Sequence, residues 1–372
     1  MIQAARLAVN FTALGFIFLG AATALEWYRH RGRAEGLLAL SLVCLAFVAA
    51  LGRVQDFIGQ STVLTIVTVL AFLACGYFVL MFRDSFLPLS RRARVAANLL
   101  MGVSSLVAIA SATVLANADQ TVGTVVAFEF VLTWAIFVGE PIVRFWFASS
   151  GLPSVQKARM RALSFGFAAL IAIVIVDVLG GAALQSPAAI VTTQLLALAV
   201  VPIIYVSFAP PSFLRRVWRM GEEAKLRSAI QELLIFSPTR QVLAERAVGW
   251  AKRLLGAQGA FIMDSDGALM ASSGIDAKRV DEIMSPRKGH PDIEIVYPAL
   301  GPGAVIVVPL RFTEGQGSLG VTAGPFTPLF GSDEINQLQG YGSAVTAGLD
   351  RARVTERMSA IEKNKSQFLN LA

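Results

Sequence analysis

Long apolar runs separated by short polar connections fill the first 210 residues of the chain. A helix needs about 20 mostly apolar residues to cross the hydrocarbon core of a bilayer. Seven runs approach that length, the second being the shortest, and they cover roughly residues 7–25, 36–51, 63–81, 96–115, 122–143, 163–181 and 188–208. The pattern therefore predicts an all-α bundle of seven transmembrane helices over residues 1–210.

The basic residues lie mostly in alternate connections. Lysines and arginines are frequent after the first, third, fifth and seventh runs, whereas the connections after the second, fourth and sixth runs contain only Arg53. Cytoplasmic loops of membrane proteins carry an excess of lysine and arginine. The distribution therefore predicts an N-terminus outside the cell and a cytoplasmic C-terminal part. The outer connections are short, so any stimulus would be sensed within the bilayer or at its outer rim.

Three carboxylates lie inside the predicted crossings: Glu129, Glu140 and Asp177. A charged side chain at bilayer depth is costly, so such residues usually face a partner or a water-filled cavity. They are the candidates for a ligand or proton site that senses a stimulus. Glu129 is the first candidate, because the other two lie near the ends of their runs. Ordinary hydrogen bonding between helices, or solvation at a helix end, is the alternative.

The segment 211–236 predicts a linker helix that leaves the membrane. Its apolar residues Leu226, Ile230 and Leu233 are spaced by four and then three positions, with charged residues between them. This spacing is typical of a helix that pairs with a copy of itself. A solvated helix that packs on its own domain is the alternative.

Residues 237–350 predict an α+β domain. A helix with Ser237 as its N-cap ends at Gly256, which suits the left-handed position after a helix. Several strand patterns follow, interrupted by one short amphipathic helix, and a closing helix begins near Ser332. Helix, strands and closing helix together predict an antiparallel sheet covered by helices.

Residues 226–353 combine this order of elements with the stretches "VVPL" and "LGVTAG", the following "PFTPLFGSDEINQL" and the final "AVTAGLDRARV". With these features the segment resembles a GAF domain. GAF domains bind small molecules or serve as dimerising spacers. The cyclic-nucleotide signature Asn-Lys-Phe-Asp-Glu is not in this sequence, and both cysteines belong to the membrane half, so no bilin attachment is expected. The resemblance therefore implies a domain that relays a signal without a bound cofactor.

Residues 351–372 continue the closing helix with a heptad pattern. The core positions are spaced by alternating steps of four and three residues, and they are occupied by Val354, Met358, Ile361, Lys365, Phe368 and Ala372. Such a pattern is typical of a coiled coil. With the linker helix, it predicts a parallel homodimer whose seam contains a lysine.

The final "EKNKSQFLNLA" resembles the start of the dimerisation helix of sensor histidine kinases. In that family "KSxFLxxxSHELRTPL" carries the phosphate-accepting histidine, and Lys365, Ser366, Phe368, Leu369 and Ala372 fall on this motif. The resemblance implies a protein of the bacterial cytoplasmic membrane whose kinase core uses ATP and Mg²⁺ and phosphorylates a response regulator. The acceptor histidine is expected just after Ala372. The chain itself, with no catalytic residue of that kind, is expected to be inactive.

Composition agrees with a membrane protein and excludes several other classes. The chain is 55% hydrophobic and 15% charged, with a net charge of +7. Its arginines lie beside apolar runs, which favours membrane orientation over nucleic-acid binding. Two cysteines and two histidines, spread along the chain, predict no metal site. Two other functions remain open: a membrane sensor for another output, such as a cyclic-dinucleotide cyclase, and a transporter or channel with a regulatory tail.

Overall fold

The computed structural model divides the chain into two compact units. Met1–Ser150 with Gln156–Arg215 forms the first unit, and Arg216–Ala372 with the short segment Gly151–Val155 forms the second. The structure describes residues 2–30, 33–59, 61–85, 87–113, 120–152, 154–181, 186–208, 210–211, 213–214, 217–218, 220–221, 224, 228, 231, 239–284, 294–296, 305–322 and 332–371.

The first unit contains long apolar helices. Within the described residues there are seven: α1 (Ile2–His30), α2 (Arg33–Ile58), α3 (Thr62–Asp84), α4 (Arg91–Thr113), α5 (Gln120–Ala148), α6 (Ser154–Gly180) and α7 (Pro187–Phe208). Each is long and apolar enough to cross a membrane, which confirms the seven predicted helices. The second is longer than its apolar run, because polar residues continue the helix and include an ion pair of Arg53 with Asp56 at 2.9 Å. Such pairs, three positions apart, lie next to each other on a helix surface.

Glycines allow several of these helices to approach closely. In α1, a Cβ atom added at Gly20 would lie 2.7 Å from the Cβ atom of Ala46 on α2. In α3, a Cβ atom at Gly76 would lie 2.8 Å from the ring of Trp134 on α5. Small residues at such contacts are typical of helices that pack together inside a membrane. Helix α4 packs against α3 and α5, and this arrangement places the polar side chains described below.

The second unit is built on one antiparallel sheet. Its strands are β1 (Gly259–Met263), β2 (Leu269–Ser273), β3 (Glu294–Val296), β4 (Val305–Phe312) and β5 (Gly315–Thr322), and the described helices are α8 (Arg240–Leu255), α9 (Ala277–Met284) and α10 (Ser332–Leu371). The strand order is β2-β1-β5-β4-β3, with every neighbouring pair antiparallel. The α+β organisation predicted from the sequence is therefore confirmed.

One helix boundary differs from the prediction. Helix α8 begins at Arg240, and the side chain of Thr239 accepts a hydrogen bond from the backbone amide of Val242. Thr239 rather than Ser237 is therefore the N-cap. The predicted end is confirmed, because Gly256 has φ 60° and its amide bonds to the last turn. Serine and threonine are both favoured as N-caps, so composition alone did not select the residue.

Both faces of the sheet are covered. On one face α8 and α10 bury an apolar core that includes Leu243, Val248, Leu338 and Tyr341. On the other face α9 inserts Val280 among residues of β1 and β4, where the ring of Phe261 lies directly over Gly320 of β5. Helix α10 has 40 residues. At the usual rise per residue it is about 60 Å long.

Candidate functional site

A cluster of polar side chains between α4 and α5 surrounds Glu129. Ser104 on α4 donates a hydrogen bond to Glu129 Oε1 at 2.5 Å, and Thr133, one turn further along α5, donates to the same oxygen at 3.1 Å. The two hydroxyl oxygens are 3.2 Å apart, and both side chains are buried. These three residues are named the Glu129 cluster.

The Glu129 cluster leaves one acceptor unused. The second carboxylate oxygen of Glu129, Oε2, is buried and has no hydrogen-bond partner within the described residues. Apolar residues surround the cluster on the adjoining turns, with Leu73, Ala108 and Phe130 packed together beside it. A buried carboxylate oxygen without a partner is costly in an apolar medium, so this atom can accept a proton or a donor group of a ligand.

Glu140 lies in a different environment. Its Oε1 atom accepts a hydrogen bond from Arg83 of α3 at 2.9 Å, and the guanidinium of Arg144 lies 3.4 Å from the same oxygen. Arg83 is almost fully buried and also donates to the carbonyl of Leu87. Because Glu140 is already neutralised by these arginines, it acts as a structural ion pair between α3 and α5.

The three predicted carboxylates are not brought together. Glu129 and Glu140 are about 16 Å apart along the axis of α5. Asp177 is exposed on α6, close to the end of that helix at Gly180. Glu129 Oε2 and Glu140 Oε2 are both buried without a partner in the described part of the chain. Glu129 differs because its other oxygen is held by hydroxyl donors, whereas that of Glu140 is paired with arginine.

The predicted relay residues are described in part. Leu226, Ile230 and Leu233 lie outside the described residues, and only the backbone of Phe368 is described. On α10, Val354, Met358 and Ile361 are 57%, 64% and 66% exposed, and Lys365 is also exposed. Their apolar surface is therefore uncovered in the single chain, as the seam prediction requires, but no partner chain tests that prediction.

Two arginines have roles that the sequence reasoning missed. It assigned Arg83 and Arg159 only to membrane orientation. In the structure Arg83 neutralises Glu140, while Arg159 of α6 donates to the carbonyls of Ser207 and Phe208, both at 2.9 Å. Arg159 thus caps the end of α7, where the last carbonyls have no partner within the helix. The signal that could have identified them is an arginine at the end of an apolar run, where another helix ends nearby.

No chemistry-bearing cluster of another kind is found in the described part of the chain. No group of three or more His, Cys, Asp or Glu side chains there could hold a metal ion. The thiol of Cys75 is buried, with its sulfur 3.5 Å from the hydroxyl of Ser41, and Cys44 is partly buried. The Glu129 cluster is therefore the candidate site.

Comparison with known proteins gives little further information. No protein-family profile matches the chain, and no curated protein matches it. The crystal structure of the GAF domain from an Acinetobacter phosphoenolpyruvate-protein phosphotransferase aligns with 36% of this chain and 96% of its own, with 15% identity and a TM-score of 0.29. A TM-score this low carries no argument about the fold.

Proposed function

We propose that the chain is the sensory input module of a membrane-bound sensor histidine kinase. The observation that carries this proposal is the continuity of α10. It packs into the core of the α+β domain between Leu338 and Ala352, extends far past the last buried residue, and exposes Val354, Met358 and Ile361 along the stretch that leads into the kinase-like "EKNKSQFLNLA". A helix of this kind would connect a sensory domain to a kinase dimerisation helix.

The proposed path of the signal begins in the helical unit. A proton or ligand that binds at the Glu129 cluster would change the packing of α4 against α5. The GAF-like domain, which we propose to be cytoplasmic because of the distribution of arginines, would pass the change to α10. Since one set of packed helices can adopt two arrangements of similar free energy, a ligand that prefers one arrangement would shift the balance between them.

The proposed partners follow from the same resemblance. The working protein would be a parallel homodimer in the bacterial cytoplasmic membrane, in contact with lipid, and its kinase core would use ATP and Mg²⁺ to phosphorylate a histidine and then a response regulator. No small-molecule cofactor is proposed for the GAF-like domain. The side chains of Phe261, Met263 and Val280 fill the described part of its second sheet face.

The test uses the complete gene product in lipid nanodiscs. Incubation with Mg²⁺ and labelled ATP should produce acid-labile phosphate on histidine. No phosphohistidine, together with formation of a cyclic dinucleotide from GTP or with solute uptake into proteoliposomes, would favour one of the alternative functions.

The role of Glu129 is tested by comparing two carboxamide variants of that protein. Glu129→Gln should change the dependence of autophosphorylation on pH or on membrane extracts that contain a stimulus. Asp177→Asn should leave it unchanged, because Asp177 is exposed and lies outside the cluster. If both variants respond like the wild-type protein, the cluster is not the sensing site.

A further inference from the structure

Helix α10 leaves the α+β domain through polar contacts. Leu349 is fully buried in the domain core and Ala352 is nearly so, whereas Val354 is exposed. Beyond this point the described contacts of the helix with its own domain are hydrogen bonds and ion pairs. The buried part of α10 is therefore anchored by apolar packing, whereas its exposed part beyond Ala352 is held to the domain by charged groups.

The turn between β4 and β5 supplies most of these contacts. The backbone amide and the hydroxyl of Thr313 donate to Asp350 Oδ2 at 3.0 and 2.9 Å. Glu314 accepts hydrogen bonds from Arg357 at 2.7 and 3.1 Å, and it also pairs with Arg353. Thr313 and Glu314 of this β-turn thus contact positions 350, 353 and 357, which span two helical turns of α10.

The first helix of the domain meets α10 at the same place. The backbone amide of Arg240, the first residue of α8, donates to Glu356 Oε1 at 2.8 Å. The guanidinium of Arg240 pairs with both carboxylate oxygens of Asp264 at 2.7 Å and lies 5.6 Å from the ring centroid of Phe312. The point where the chain from the linker joins α8 is therefore in direct contact with the point where α10 departs.

The polar contacts and the apolar seam occupy neighbouring faces of α10. At about 100° per residue, the contact positions 350, 353, 356 and 357 fall within an arc of about 120°. The seam positions 354, 358, 361 and 365 fall within an arc of about 60°, centred about 110° from the contacts. A bend of the exposed part of α10 that broke the contacts would therefore turn the seam in a new direction, while the buried part of the helix stays in the core.

We propose that these contacts form a switchable joint that sets the direction of the seam. The exit joint comprises the contacts of Thr313 and Glu314 with α10 and the contact of Arg240 with Glu356. The ion pairs of Glu314 with α10 are partly exposed, and ion pairs of this kind are individually weak. A movement of the linker that displaces Arg240 would release Glu356, weaken the joint and allow the exposed part of α10 to bend away from the domain.

This inference concerns the conformation of α10 and does not depend on the proposed kinase function. It is tested with the full chain in nanodiscs by comparing Glu314→Gln with Glu282→Gln. The control removes a carboxylate from another exposed pair of the same domain, in which Glu282 lies 2.7 Å from Arg279. Two measurements are made on each variant.

The first measurement is hydrogen–deuterium exchange of the peptides that contain Thr313 and Arg240. Both amides donate to side chains of α10. Glu314→Gln should therefore make their exchange about fivefold faster, the size expected for the loss of a weak exposed network. Exchange of the core peptide around Val248 should stay unchanged, which shows that the domain is still folded. Glu282→Gln should have no effect at either joint peptide.

The second measurement is the distance between spin labels at Asp266 and Met358, in a background with Cys44→Ser and Cys75→Ser and diluted with unlabelled chain. The distance distribution should be narrow in the wild-type protein, broad in Glu314→Gln and narrow again in the charge-reversed variant Glu314→Arg, Arg353→Glu, Arg357→Glu. Unchanged exchange and an unchanged distribution in Glu314→Gln, or equal changes in Glu282→Gln, would overturn the proposal.

Discussion

Gly320 is a position in the α+β domain where adding a single methyl group should be strongly destabilising. A Cβ atom added there would lie within 2.6 Å of three carbon atoms of the Phe261 ring. Carbon atoms in good contact are about 3.5–4.0 Å apart, so the ring would have to move by more than about 1 Å. Phe261 is completely buried against Val280 and Val305, which leaves no space for that movement.

The expected cost follows from two opposing effects. Overpacking a core costs about 1–3 kcal/mol, and the rigid surroundings of Phe261 favour the upper end of that range. Replacing glycine by alanine in a strand stabilises the folded state by about 0.5–1 kcal/mol, because it lowers the entropy of the unfolded chain. Gly320→Ala should therefore lower the free energy of unfolding of the domain by about 2 kcal/mol.

The assay is pulse proteolysis of the full chain at increasing urea concentration. For an m-value of about 2 kcal/mol per M, a loss of about 2 kcal/mol should lower the midpoint by about 1 M. Phe261→Leu removes the ring and should cost about 1 kcal/mol by itself. In the double variant Gly320→Ala, Phe261→Leu the additional effect of the alanine should largely disappear, since the two positions are in contact.

Gly249→Ala is the matched control. Gly249 lies inside α8 with nothing within 4 Å of its added Cβ atom. This change should therefore stabilise the domain by about 0.5–1 kcal/mol. If Gly320→Ala were as stable as the wild-type chain, or if its effect were the same in the Phe261→Leu background, the inferred clash of the ring with position 320 would be refuted.

Three further predictions concern acid stability, topology and assembly. Burial raises the pKa of Asp264, but hydrogen bonds from Arg240 and Ser265 lower it more, so its net pKa lies below its ordinary value. The resulting stabilisation is present above the pKa of Asp264 in the unfolded chain and is lost as pH falls through its pKa in the folded chain. In Asp264→Asn the free energy of unfolding should therefore decrease less steeply with falling pH below about pH 4. A reporter fused after residue 119 should be extracytoplasmic and one fused after residue 155 cytoplasmic; the reverse pattern would refute the charge argument. Cysteine at Ile361 should cross-link to its own copy, whereas cysteine at Lys363, on the opposite face of α10, should not.

The sequence predicted the helical unit well because each apolar run is decided by local composition. Leu73 and Leu80 lie in an uninterrupted apolar run, and no distant contact is needed to make that run a membrane helix. The strands were predicted for a similar reason, since Val305 to Phe312 form a β-branched, apolar stretch between turn residues. The end of α2 was missed because polar residues near Arg53 continue the helix beyond the hydrophobic run.

The partners of the intramembrane carboxylates could not be predicted in this way. Glu129 and Glu140 are on the same helix and in similarly apolar sequence, yet one meets two hydroxyl groups and the other meets Arg83. Thr133 is a local neighbour, one turn along α5. The contacts with Ser104 and Arg83, however, arise from which turn of α4 or α3 lies opposite each carboxylate. That is a long-range property, and neither hydropathy nor charge counting contains it.

The same reasoning explains why the exit joint had no signal in the sequence. Glu314, Asp350 and Arg353 are ordinary surface charges by composition, and a charged surface usually contributes little to stability. Their importance depends on being the last contacts of α10 with its domain, beside an exposed apolar seam. Weak contacts are suited to that position, because a helical segment held by a large apolar interface, like the part of α10 before Ala352, could not change direction for a stimulus of a few kcal/mol. The residues that carry a signal through this domain are therefore expected among its exposed charges, while the buried part of α10 around Leu349 is the fixed base from which its exposed part bends.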